Sequence, residues 1–263
     1  MHVVKRYPDG VFSWVDLATP DPEGAKAFYM GLFGWESEDI PTPMGPAYTM
    51  LRMNGYNVAG LGPQPPGMEG MPAFWASYVN HSDVDAIAAR IPGAGGVVTM
   101  PPMDVMSEGR MMMVQDPTGA MFGVWQPRDH IGAQLVNMPN TLAWNEPQTR
   151  DGAAANAFYS AVFGWTADAD SSGYVVYAAD GRRQAGMMQM DDSWGEVPPN
   201  WAVYFMVDDL DATVARTQEL NGTVLVPATP AGAMGRFAVL QDPQGGIFTV
   251  MQFDGPVDPP PGA

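Results

Sequence analysis

Two short runs each set a carboxylate beside an indole. Trp14 and Asp16 stand two apart in Phe12 to Ala18 (FSWVDLA), and Trp144 and Glu146 stand two apart between Thr141 and Pro147. Residues two apart on a strand share a face. Tyr78 and Tyr204 fall at matched places on two later runs. A carboxylate on an aromatic face is poorly solvated. That raises its pKa and suits it to act as a general base or a hydrogen-bond anchor, with the phenols as further acid/base candidates. A plain reading stands beside this one: the carboxylate bonds to backbone or to a Tyr hydroxyl, and the indole fills core.

These matches belong to a repeat of fixed order. Phe28-Tyr29 precedes Leu32-Phe33-Gly34-Trp35, and Phe158-Tyr159 precedes Val162-Phe163-Gly164-Trp165. Gly109-Arg110 leads to Gln115-Asp116-Pro117-Thr118-Gly119, and Gly235-Arg236 leads to Gln241-Asp242-Pro243-Gln244-Gly245. Phe158 minus Phe28 is 130, whereas Trp201 minus Trp75 and Asp242 minus Asp116 are 126, so the second copy is four residues shorter between Trp165 and Trp201. The shortening falls where Gly, Pro and Met are dense in the first copy, which reads as a loop.

The elements that must position these residues follow one order in each copy. Phe12 to Ala18 alternates as a strand does. Asp21, Pro22 and Glu23 then open a helix that Gly34 closes, with Asp151 and Gly164 doing the same in the second copy. Strand-like runs follow at Ala47 to Met53 and Asn57 to Leu61, matched by Tyr174 to Ala179 and Gln184 to Met190. Trp75 to Val79 leads into a helix from Asp83, and Trp201 to Val207 into one from Asp208. Paired strands around the Asp-Pro turns end each copy. Each half therefore reads as βαβββ twice. The limits are 8–127 for the first module, 128–137 for a linker, 138–253 for the second module and 254–263 for a Pro-rich tail expected to be disordered.

Composition narrows the partners. The 263 residues suit two domains of ordinary size. A net charge of −17 repels phosphate backbones and anionic membrane surfaces, so neither nucleic acid nor membrane is expected as a partner. There is no cysteine, hence no disulfide or thiol chemistry. No run is long and apolar enough to span a bilayer, and a cytoplasmic location is expected. Arg110 and Arg236 read as members of structural ion pairs.

The helix motif around Ala-Phe-Tyr and Phe-Gly-Trp, the strand-helix junction Val207 to Ala212 (VDDLDA) and the Gly-Arg…Gln-Asp-Pro-x-Gly stretch together resemble the glyoxalase/bleomycin-resistance/extradiol-dioxygenase (vicinal oxygen chelate) superfamily. The resemblance covers about Phe12 to Gln252 and is strongest to two-module actinobacterial glyoxalase-like proteins, often labelled hydroxylases or secreted antigens. It implies an α+β fold of tandem glyoxalase-like modules, each with curved mixed half-sheets around a cavity. In metal-using members, four His, Gln or Glu ligands line that cavity. Carried over by spacing, the first ligand falls on Trp14 and Trp144, the third on Ala76 and Ala202, and the fourth on Gly123 and Thr249. The second falls within Val58 to Leu61 and Ala185 to Met188. None of these suits a hard or borderline cation, so loss of the metal and no cofactor are expected.

By alternation, the implied lining is Trp14, Asp16, Ala76, Tyr78, Met121, Gly123 and Trp125 in the first module. In the second it is Trp144, Glu146, Ala202, Tyr204, Ile247, Thr249 and Met251. Such a surface suits a largely apolar, aromatic small molecule. The leading reading is a metal-independent tailoring or accessory enzyme of antibiotic or polyketide metabolism. The alternatives are a drug-sequestering binding protein, a glyoxalase-like detoxifier of 2-oxoaldehydes, and a stress or antigen protein with no small-molecule role. Two modules in one chain suit a monomer, with a homodimer as the other possibility.

Overall fold

The computed structural model describes residues 2–42, 45–171 and 173–261. The first module runs β1 (Phe12–Thr19), α1 (Pro22–Phe33), β2 (Glu36–Thr42), β3 (Gly45–Met53), β4 (Tyr56–Pro63), β5 (Phe74–Asn80), α2 (Val84–Arg90), β6 (Val97–Val105), β7 (Gly109–Gln115) and β8 (Met121–Pro127). The second runs β9 (Leu142–Thr149), α3 (Gly152–Phe163), β10 (Thr166–Ala169), β11 (Val175–Ala179), β12 (Arg182–Gln189), β13 (Asn200–Met206), α4 (Leu210–Glu219), β14 (Thr223–Pro230), β15 (Gly235–Gln241) and β16 (Ile247–Phe253). The βαβββ order read twice per module is thus the order found.

Each module forms one eight-stranded sheet, ordered β2-β3-β4-β1-β5-β8-β7-β6 and β10-β11-β12-β9-β13-β16-β15-β14. The two βαβββ units of a module meet where β1 runs antiparallel to β5, and β9 to β13. Each of these strands has its last partner in parallel on the other side. The four central strands are therefore the ones that carry the candidate site. The helices form where the caps allow. Asp21 and Asp151 accept from the backbone N–H three residues on, and Gly34 and Gly164 close α1 and α3 in the left-handed conformation.

Strands β2, β6, β10 and β14 have no counterpart among the runs read from sequence. They are the edges of the two sheets and are largely exposed. An edge strand without a buried face keeps no strict alternation. The Glu, Asp and Pro residues that mask the strand signal in β2 (ESEDIPT) also discourage pairing with another chain. The four-residue shortening lies in the β2–β3 hairpin, because Tyr48 and Tyr174 already differ by 126.

The modules pack against each other through the helices. Tyr29, Phe33 and Trp35 form one aromatic cluster with Phe205 and Phe248 of the opposite module, and Tyr159, Phe163 and Trp165 form another with Phe122. At its centre Tyr29 donates to Asp242 Oδ2 at 2.8 Å and accepts from Trp75 Nε1 at 3.0 Å. Tyr159 likewise donates to Asp116 Oδ2 at 2.7 Å and accepts from Trp201 Nε1 at 2.8 Å. The most faithfully repeated motifs thus meet across the module boundary. Arg110 pairs with Asp85 at 3.0 Å, and Arg236 with Asp211 at 2.9 Å, both in exposed positions where such pairs contribute little.

Candidate functional site

On the central strands each module repeats one hydrogen-bonded constellation. In the second module Tyr204 donates to Glu146 Oε1 at 2.7 Å and Tyr174 to Glu146 Oε2 at 2.8 Å, while Trp144 Nε1 donates to the Tyr174 hydroxyl at 3.1 Å. Gln148 Nε2 adds a contact to Glu146 Oε1 at 3.2 Å. In the first, Tyr78 reaches Asp16 at 3.3 Å, Tyr48 reaches Asp16 Oδ2 at 3.2 Å, and Trp14 Nε1 donates to Tyr48 at 3.0 Å. Burial raises the Glu146 carboxyl and pushes that of Asp16 up to about 6, against the lowering effect of the hydrogen bonds. Burial and the neighbouring carboxylate raise the phenols too, so they stay protonated and act as donors.

Tyr48 and Tyr174 were not among the residues singled out from sequence. They come from the hairpin region and reach across the sheet over Gly60 and Gly186. A Cβ at either glycine would stand 1.7 Å from the tyrosine oxygen. Their signal was present in the repeat, as a Tyr pair and a Gly pair each 126 apart. Gly123 works similarly, since a Cβ there would fall 2.2 Å from the Tyr78 ring.

The two modules differ in what covers the constellation. In the first, the linker folds back over it. Ala133 N donates to Ser13 O, and Gln134 and Asn57 exchange backbone and side-chain bonds. His130 sits edge-on to Trp14, with ring centres 4.5 Å apart, and near Trp125, whose Nε1 donates to His130 O at 2.8 Å. Burial lowers the His130 imidazole to about 4, and its Nε2 has no partner among the described residues.

In the second module the equivalent stretch is the tail. From composition it was expected to be disordered, yet it makes specific contacts at the cavity rim. Arg183 pairs with Asp258 at 2.8 Å, Arg182 donates to Pro259 O, and Asn137 Nδ2 donates to Asp258 O at 3.0 Å. A cavity of about 830 Å³ remains, bordered by Trp144, Glu146, Tyr174, Tyr204, Met188 and Met251 among others, with Gly255 to Asp258 on one wall.

The sequence-derived candidates divide accordingly. Trp144, Glu146, Tyr204 and Met251 border the cavity. Ala202 stands beside Glu146 in the β9–β13 register and Thr249 beside Tyr204, and neither borders it. Trp14, Asp16, Ala76, Tyr78, Gly123 and Trp125 belong to the linker-covered module. Met121 and Ile247 are 39% and 51% exposed, because each opens its strand at the solvent end, where alternation no longer decides burial.

The glyoxalase/bleomycin resistance protein/dioxygenase superfamily matches residues 11–124 and 142–249. The chain belongs to this superfamily. "Putative glyoxylase CFP32" of Mycobacterium tuberculosis is 44% identical over 252 residues, spanning 94% of this chain and 96% of its own. The anthracycline biosynthesis protein DnrV of Streptomyces peucetius is 38% identical over 263 residues, 94% of each chain. In fold, the chain resembles the Mn(II)-bound glyoxalase of Novosphingobium aromaticivorans, with a TM-score of 0.66 at 17% identity over 96% of this chain and 85% of that one.

The described residues can be set against the donor sets of metal-using members of the superfamily. The first, third and fourth ligand positions, as carried over by spacing, hold Trp, Ala, Gly and Thr side chains, and the fourth strand has no acid or His, with Gln184 and Gln189 on β12 in the second module. Among the described residues no three His, Asp or Glu side chains converge on a point. The single carboxylate at each constellation already accepts from two tyrosines.

Proposed function

We propose that the chain binds a largely apolar, aromatic small molecule in the cavity of its second module without a metal ion, as a tailoring or accessory protein of antibiotic or polyketide metabolism. The observation that carries this reading is the Glu146, Tyr174, Tyr204 and Trp144 constellation at the edge of an apolar cavity of drug-ligand size. The relative named for anthracycline biosynthesis supports the ligand class. In this reading Glu146 holds or moves a proton at a ligand oxygen, and the two phenols, which remain protonated, set its basicity. The back-to-back packing of two modules supports a monomer, and we place the protein in the cytoplasm.

Titration of chelator-treated protein with an anthracycline aglycone, followed by Trp fluorescence, tests this. The expected result is saturable binding at one site per chain that added chelator leaves unchanged. Stoichiometric metal in the purified protein, with binding lost on its removal, overturns it. The carboxylate oxygens already accept three side-chain donors, an observation that favours anchoring over turnover. Glu146→Gln separates the two roles. Binding weakened by about tenfold with no product formed by the unaltered protein gives sequestration, whereas product formation lost in the variant gives catalysis.

A further inference from the structure

One buried group of the second module has no role in the fold. Gln184, on β12, is 7% exposed and borders the cavity, yet neither its Nε2 nor its Oε1 has a hydrogen-bond partner among the described residues. A buried amide left so costs stability. The repeat supplies a control, since 184 minus 126 is 58 and the first module carries Val58 there, fully buried. The same strand position thus packs well without any polar atom. The polar side chain falls in the module whose constellation borders the cavity.

Gln184 sits at the β-bulge where the β11–β12 pairing slips, and it borders the same cavity as Met188 and Tyr174. Gly186 lies under Tyr174, so the amide stands two residues along β12 from the residue beneath the carboxylate constellation, a separation on the scale of one ring. The neighbouring guanidinium groups are committed to the tail, Arg183 to Asp258 and Arg182 to Pro259 O. A carboxamide offers a donor and an acceptor in one plane and no charge. Its complement is an edge with an acceptor beside a donor.

We propose that Gln184 is the specificity-determining residue of the second-module cavity, and that its ligand is an uncharged, flat ring compound carrying a hydrogen-bond acceptor beside a donor on one edge. A lactam, or a hydroxyl next to a carbonyl, has this pattern. The proposal rests on the cavity being the binding site, as set out above.

The test uses the full chain and two probes, the tricyclic lactam phenanthridinone and its N-methyl derivative, which lacks the donor and blocks the edge. The unaltered protein is expected to prefer the lactam on the order of tenfold, the worth of two net hydrogen bonds. Gln184→Leu removes the preference and raises the Tm of the unliganded protein by a few degrees, because an unsatisfied amide has been replaced by a hydrocarbon of similar shape. A preference that survives in Gln184→Leu, or a Tm lowered by that change, overturns the proposal. Equal binding of both probes to the unaltered protein also overturns it, and leaves the cavity reading standing. Failure of both probes to bind the unaltered protein overturns both.

Discussion

Burial moves the titrations of Asp16 and His130 in opposite directions. Asp16 rises from 3.8 to about 6, so its stabilising contribution is full below pH 3.8 and is lost as pH rises through 6. His130 falls from 6.5 to about 4, so its contribution is full above pH 6.5 and is lost as pH falls through 4. Each amounts to about 3 kcal/mol at most, and the two partly cancel between pH 4 and 6.5. Urea unfolding at a series of pH values should show this. Asp16→Asn leaves the His130 gain uncancelled, so stability rises more steeply between pH 4 and 6 than in the unaltered protein, and His130→Gln leaves the Asp16 loss uncancelled, so stability falls over the same range. At this scale the sequence is informative as far as alternation reaches: Asp16 beside Trp14 and Glu146 beside Trp144 follow from period two. Tyr48 and Tyr174 do not, because the partner of a carboxylate across a sheet depends on which hairpin folds over it.

At the scale of elements, the connections after the last strands of the two modules pack beside the two constellations in different ways. His130 fills space between Trp14 and Trp125, so His130→Gly is expected to cost about 2–4 kcal/mol and to leave a cavity that added imidazole partly restores, read as a rise in Tm with imidazole concentration. Ending the chain at Phe253 removes Gly255 to Asp258 from the wall of the other cavity. That variant should bind an anthracycline aglycone at least tenfold more weakly, by fluorescence titration, while its Tm stays within a few degrees, since the ion pair it removes is exposed and the tail adds few buried contacts. The central strands were legible as short apolar and aromatic runs, buried on both faces, and the helices by their caps and one buried face. The linker and tail have no period, and their contacts are set by the surfaces they land on.

At the scale of the molecule, Tyr29 with Asp242 and Tyr159 with Asp116 tie each module's first helix to the other module's last turn. Tyr29→Phe and Tyr159→Phe should each destabilise by about 1–3 kcal/mol, because each leaves a buried carboxylate oxygen and an indole N–H short of a partner. The two sites share no partner, so the double variant is expected to lose the sum, with unfolding still a single transition in denaturant melts. Two transitions in the double variant would show that these bonds, rather than the aromatic clusters, hold the modules together.

The sequence by itself determined the duplication, the order of all elements but the edge strands, the superfamily resemblance and the residue types at the carried-over ligand positions, because these are local or periodic properties. It also paired each carboxylate with an indole on one strand. Only the tertiary structure decided that the repeated Phe-Tyr and Asp-Pro motifs meet across modules, that a second tyrosine completes each constellation, and that the linker packs beside one constellation while the tail lines a cavity at the other. Those outcomes depend on contacts between residues far apart in the chain, and two nearly identical strand sets can differ in them completely when the segments that follow fold back differently.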